Sequence, residues 1–245
     1  DMTAKEHYDA LLADVYSWML GTFHEQVENQ LNFFQSHGIH PQENAIAFDL
    51  GAGNGIQSVA LALLGFEVRA VDFSKTLLKE LGANKKDLPV TAIASDIVSF
   101  LHQTADTPGL VVCMGDTLTH LADPGLVDTF IHAVSERLPE GGKLVLSWRD
   151  LSEERKTTER FIHVKSDDTR SMSCFLEYFP RHVMVYDLVI ENIGGTWKQR
   201  VSSYPKLRLS VENILQTLMS NRFFVNHREG VRGMTYIVAE KSNQK

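Results

Sequence analysis

Only two cysteines, seven prolines and three tryptophans occur among the 245 residues. Cys113 and Cys174 lie far apart and form no metal-type spacing, so they read as reduced core residues, with a single disulfide between them left open. Long apolar runs are missing too. The longest, Val59 to Leu64, stops at Gly65, far short of the ~20 residues a membrane span needs. Asp9, Asp14 and His24 interrupt the apolar residues near the start, so no secretory leader is expected and a cytoplasmic location is. Positive charge is scarce: 24 Lys+Arg against 31 Asp+Glu leaves −7, a field that repels a phosphate backbone. Neither nucleic acid nor a membrane is therefore an expected partner. The ten histidines show no ligand spacing such as His-Glu-x-x-His, so no metal site is expected. What remains, 43% hydrophobic and 22% charged, is the composition of a soluble globular domain.

Periodicity organises the chain. Tyr8, Leu11, Leu12, Val15 and Met19 share one helical face, and a second helix is predicted over His24 to Ser36, closed by Gly38 and Pro41. Short β-branched runs follow at Ala45–Leu50, Glu67–Asp72, Val90–Asp96, Leu110–Met114 and Lys143–Trp148, separated by helical segments. Ser74 and the pair Asp123-Pro124 are ready-made helix starts. Alternation of this kind predicts a parallel sheet with helices on both faces. After Asp150 the period changes to two, and Gly194-Gly195 reads as a hairpin turn. Residues 151–210 are expected to form a small antiparallel β lid inserted into a domain made of 1–150 and 211–245, with 1–40 as a helical cap. The insert carries 10 Lys+Arg and 8 Asp+Glu, hence +2 on an acidic protein. A helix from Val211 and a terminal hairpin, Phe223–His227 with Thr235–Glu240, close the chain.

The run from Phe48 to Gln57 sits where a strand gives way to a helix and carries Gly51, Gly53 and Gly55. Missing side chains let a ligand approach the backbone, and such a turn commonly holds a nucleoside-containing cofactor. The third small position of a dinucleotide fingerprint is Ile56 here. Asp49, two residues before Gly51, would be a poor neighbour for pyrophosphate but suits an ammonium; its alternative is to cap the turn. Asp72 ends the second strand and can accept from both ribose hydroxyls. Asp96 ends the third and can accept from an adenine amino group, with Ile97 supplying an N–H and an apolar wall. Asp72 and Asp96 each have an alternative as a helix N-cap. Three acids ending three successive strands point to one ligand at the sheet edge.

These residues resemble the class I S-adenosylmethionine-dependent methyltransferases. Asp49 to Gly55 is similar to the segment that wraps methionine, Val71 to Leu78 to the ribose segment, and Ala94 to Ile97 to the adenine segment. Val112 to Leu121, with Gly142 to Asp150, is similar to the small-molecule group that includes glycine and sarcosine N-methyltransferases. The resemblance implies a Rossmann-like seven-stranded methyltransferase sheet and S-adenosylmethionine as cofactor, leaving as S-adenosylhomocysteine. It adds Ala52, Phe73, Leu77 and Met114 to the cofactor set, with Phe73 and Leu77 flanking adenine. Asp116 stands where that group has asparagine, so the class carries over and the acceptor does not.

For the chemistry, Asp116 follows the fourth strand near the transferable methyl and could orient an amine or hydroxyl, or cap Thr117–His120. His120 is a candidate base or a packed core residue. Arg149 could meet an anionic group on the acceptor, or pair with Asp150 or Glu153. Tyr16, with Tyr8 and Trp18, could close over the cofactor or belong to a core stripe. The expected partner is a small-molecule methyl acceptor. Two other readings stay open on these residues: an NAD-dependent oxidoreductase, and a protein that binds S-adenosylmethionine without turnover.

Overall fold

The computed structural model describes residues 15, 18, 19, 21–231 and 233–242. Two sheets organise them. Sheet A contains β1 (Ile46–Leu50), β2 (Glu67–Asp72), β3 (Val90–Ala94), β4 (Leu110–Cys113), β5 (Lys143–Trp148), β10 (Phe223–Val231) and β11 (Met234–Lys241). Sheet B contains β6 (Phe161–Ser166), β7 (Arg170–Tyr178), β8 (His182–Ile193) and β9 (Thr196–Leu207).

Sheet A runs in the order β3-β2-β1-β4-β5-β11-β10. Its first five strands are parallel, and β11 turns antiparallel against β5. Among the described residues, the helices that flank it are α1 (Phe23–Ser36), α2 (Ile56–Leu63), α3 (Lys75–Asn84), α4 (Ile97–Gln103), α5 (Pro124–Arg137) and α6 (Val211–Ser220). Alternate residues of each strand feed opposite faces. Phe48, Leu50, Val71 and Val111 pack with Phe100, Phe130 and Leu218 of α4, α5 and α6. Ala47, Val68, Ala70 and Val112 pack with Val27, Phe34, Val59 and Leu81 of α1, α2 and α3. The sheet is thus covered on both sides, as the near-continuous apolar strands require.

Local chemistry sets the helix starts. Thr22 and Glu25 form a capping box before α1, while Ser74, Asp96, Asp123 and Ser210 cap α3, α4, α5 and α6. Strand order reverses between β1 and β4, which opens a crevice at the carboxyl ends of the parallel strands.

Sheet B is an antiparallel meander. Ile193 pairs with Thr196, so Gly194 and Gly195 form a two-residue turn, with φ of +59° and +83° that residues with side chains rarely adopt. Pro205 lies in β9, an edge strand, where a missing N–H costs no ladder bond. Val15, Trp18 and Met19 pack on this sheet with Met172 and Val189, and Trp18 Nε1 donates to Asp167 at 2.6 Å. Trp18 therefore covers sheet B rather than the crevice of sheet A. Tyr8 and Tyr16 lie outside the described residues. No described helix is long and apolar enough to cross a membrane.

Candidate active site

The glycine loop leaves β1 and is tied down by its neighbour strand. Gly51 and Ala52 both donate to the Val71 carbonyl, at 2.8 and 3.0 Å. Gly51 has φ of +84°, and a Cβ there would stand 2.2 Å from Thr117 Oγ1. Only glycine fits, because the turn after β4 presses directly on the loop. Asp72 completes the anchorage: its Oδ2 accepts from Gly53 N and its Oδ1 from Ser74 N, both at 2.8 Å. Ser74, not Asp72, caps α3. Asp72 is thus a buried carboxylate at a strand end, locked in orientation and 8% exposed. Leu77 is buried beneath the loop, and Phe73 is half-buried beside it.

Asp49 lies under the loop at 1% exposure, where it accepts from Ser58 Oγ at 2.6 Å. Burial raises its pKa to about 7, opposed by the Ser58 hydrogen bond. Asp96 caps α4 by accepting from Ser99 N at 2.9 Å. Burial would raise its pKa, but the hydrogen bonds from Ser99 and Val98 outweigh that and hold it low. The capping alternative therefore describes what Asp96 does in the fold, while Ile97 is buried beside it.

Met114 is buried at the end of β4, and Gly115 N donates to Ser147 Oγ of β5 at 2.8 Å. Asp116 comes next. Its Oδ1 accepts from Arg149 N at 2.8 Å, and its Oδ2 accepts from Lys206 Nζ, also at 2.8 Å. It makes no side-chain cap on the turn Thr117–His120. Burial pushes the Asp116 carboxyl up, but the Lys206 ammonium and its hydrogen bond, with the Arg149 N–H, together outweigh this and hold its pKa below the ordinary range. Asp116 thereby joins the ends of β4 and β5 to β9 of sheet B. Lys206 escaped the sequence reading, although it sits two positions from Tyr204 on the same strand face. His120 packs against Tyr204, ring centroids 5.6 Å apart. The Arg149 side chain is exposed and reaches the turn between β10 and β11, 3.1 Å from where a Gly233 Cβ would stand. Asp150, a suggested partner for it, accepts from Ser152 N and Val211 N.

Sheet B contributes one more row. Cys174, Asp187 and Ser202 are cross-strand neighbours facing inward, and Cys174 Sγ donates to Asp187 Oδ1 at 2.8 Å. Asp187 is 1% exposed. Burial, then the Asp187 charge, pushes the Cys174 thiol up, and both cysteines are free thiols. An acid at the sixth position of His182–Ile190, between Val185 and Val189, was the available signal: a carboxylate on the apolar alternation.

The crevice therefore combines a bare backbone loop, two carboxylates at neighbouring strand ends, and apolar walls from Leu77, Ile97 and Met114. That donor set fits a nucleoside with two adjacent hydroxyls joined to a cationic amino acid. Fold and site define an α/β protein whose sheet opens a crevice at its switch point, of a kind that suits an adenosine-type cofactor.

Comparison with known proteins narrows this. The methyltransferase domain family matches residues 47–142. Glycine N-methyltransferase of Rattus norvegicus is 25% identical over 237 residues, covering 86% of this chain and 75% of that protein. The ubiquinone biosynthesis O-methyltransferase of Xanthomonas axonopodis pv. citri is 31% identical over 105 residues, 42% of each protein. The CcbJ methyltransferase of Streptomyces caelestis shares the fold over 99% of both chains, with a TM-score of 0.78 at 20% identity. Residues 47–142 thus match a methyltransferase domain, and the chain is similar in sequence and in fold to S-adenosylmethionine-dependent methyltransferases. The oxidoreductase reading finds no support in these relatives.

Proposed function

We propose that the protein transfers the methyl group of S-adenosylmethionine to a small-molecule amine or hydroxyl acceptor held between the glycine-loop edge of sheet A and the inner face of sheet B. The observation that carries this reading is the convergence of polar groups there. Asp116 and His120 stand at the end of β4, and Lys206, Tyr204, Cys174 and Asp187 stand on sheet B. Bound S-adenosylmethionine supplies a methyl on a positively charged sulfur, activated for in-line displacement. The protein's part is to hold both reactants aligned and dry. Asp49, Gly51, Ala52 and Gly53 would hold the methionine part, Asp72 the ribose, and Asp96, Ile97, Phe73 and Leu77 the adenine. Met114 would wall the methyl side, and residues 151–210 would serve as the lid.

An amine arriving as ammonium must lose a proton before attack, and His120, beside the end of β4, would take it. With Asp116 engaged by Lys206, the acceptor meets an ion pair there rather than a bare carboxylate. Arg149, exposed at the end of β5, suits an anionic group on the acceptor. The match to the glycine N-methyltransferase spans most of the chain, whereas the O-methyltransferase match spans less than half, which favours the amine.

The test is a panel of primary amines, amino acids, phenols and carboxylic acids, scored by mass spectrometry for S-adenosylhomocysteine and methylated product. Arg149→Ala should raise KM for the true acceptor and leave cofactor affinity nearly unchanged. Cofactor binding without turnover of any class would make the chain a binding protein and overturn the proposal.

A further inference from the structure

The sequence carries no metal spacing, yet the fold assembles one. At the far edge of sheet A, His37, His227 and Glu229 bring one ligand atom each to within 4.8 Å of one another. We propose that these three side chains bind a divalent transition-metal ion of the zinc type, which clips the carboxyl end of α1 to the edge strand β10.

A β-bulge creates the arrangement. Phe223 and Val225 of β10 face α5 and α6, and Val225 pairs with Ala239 on that face. In an unbroken strand His227 would follow them. The register shifts between Val225 and His227, however, leaving Asn226 as the extra residue, so that His227 pairs with Val238. Val238 belongs to the opposite face, beneath α1. The bulge thereby turns His227, and Glu229 two residues on, toward α1. There the His227 and His37 rings lie 4.2 Å apart.

The donors are prepared for a cation. His37 Nδ1 lies 2.7 Å from the Phe33 carbonyl, which can only accept, so Nδ1 carries the proton and the lone pair sits on Nε2. A ring nitrogen bonded to a backbone carbonyl is the usual support of a metal-ligating histidine. His227 Nε2 stands 3.5 Å from Glu229 Oε2, close to the ~3.4 Å edge expected when two ligands bind zinc tetrahedrally at ~2.1 Å. Their side chains are 34% and 37% exposed, so an ion could enter from solvent. Two neutral imidazoles and one carboxylate favour the zinc, nickel and copper end of the divalent series over magnesium or calcium. Three protein ligands leave one position for water.

The test uses full-length, tag-free protein and zinc chloride, by equilibrium dialysis and calorimetry. One ion per chain is expected, with a rise in Tm. His37→Gln and His227→Gln should each weaken zinc at least about ten-fold, Glu229→Gln somewhat less, and His24→Gln not at all. All four should bind adenosylmethionine like the wild type, because none touches the candidate active site. Zinc X-ray absorption on the unaltered protein should count two imidazole nitrogens, a readout that needs no variant to fold. Absence of a saturable site, affinity unchanged in both histidine variants, or fewer than two nitrogen neighbours would overturn the proposal.

Discussion

Sheet A and sheet B bury their faces by different means. In sheet A the parallel strands are apolar nearly throughout, and the buried polar groups Asp49, Asp72 and Ser147 lie toward the carboxyl ends, where the crevice opens. In sheet B the buried face carries Asp187, Glu191, Ser202 and Lys206 along the strands. Glu191 is held by Arg170 at 2.7 Å and Arg200 at 2.8 Å, and Lys206 by Asp116. Apolar burial therefore stabilises sheet A, with polarity reserved for the ligand edge, whereas sheet B depends on pairing its charges. A sheet built that way suits a polar guest and a docked partner surface.

The largest expected effect comes from breaking the Lys206–Asp116 ion pair, which joins the two sheets. Lys206→Met leaves Asp116 buried without its cation, a change that costs about 3–5 kcal/mol in comparable pairs. Thermal unfolding should show Tm lower by on the order of 10 °C. The double variant Asp116→Asn with Lys206→Met should recover most of the loss, since no bare charge remains. A Tm unchanged in Lys206→Met would show that the sheets are not coupled through this pair. The sign with pH follows from the lowered Asp116 pKa. Its stabilisation is present above the ordinary carboxylate pKa of about 4 and is lost as pH falls through the lower folded value.

Two smaller effects probe sheet A alone. Gly51→Ala places a methyl against Thr117 and forces φ of +84° on a residue that disfavours it, at a cost of roughly 1–3 kcal/mol. Cofactor affinity should fall with stability, because the loop must shift, whereas Gly194→Ala in the sheet B turn should leave affinity alone. Asp72→Ala should weaken adenosylmethionine and adenosylhomocysteine by about 1.5–3 kcal/mol in calorimetry. Equal affinity in this variant would remove Asp72 from the cofactor set.

Much of this contrast was legible in the residues. The five parallel strands, the glycine loop and the hairpin at Gly194-Gly195 follow from short apolar runs, a strand-to-helix transition and turn chemistry, all local signals. The seven-stranded order and the separate antiparallel sheet agree with the fold expected from the resemblance. What stayed hidden depends on partners distant in sequence. Lys206 meets Asp116 across 90 positions, and His37 meets His227 only because of the bulge at Asn226. Strand ends also moved. Val90–Asp96 shortens to Val90–Ala94 because Asp96 is taken as the α4 cap, and the terminal hairpin extends to Val231 and Met234. Capping and bulges are decided by tertiary neighbours, which periodicity does not register.

The smallest effect concerns Asp49, the buried acid of sheet A that has no basic partner like Lys206. Burial raises its pKa from the ordinary 3.8 to about 7. The stability that its proton supports is fully present below pH 3.8 and is lost as pH rises through about 7, opposite in sign to Asp116. The apo protein should therefore lose stability between pH 5 and about 8 through this residue, and Asp49→Asn should flatten that slope. If Asp49 faces the ammonium of the cofactor, binding brings a cation beside it and lowers its pKa again. At pH 7 part of the Asp49 carboxyls would be protonated, so a fraction of a proton should leave per cofactor bound. Calorimetry in buffers of different ionisation enthalpy reads that number directly. Measurable proton release in the wild type, and near zero in Asp49→Asn, would place the ammonium at Asp49. Zero in both would leave Asp49 as a loop anchor held by Ser58 and assign the ammonium elsewhere.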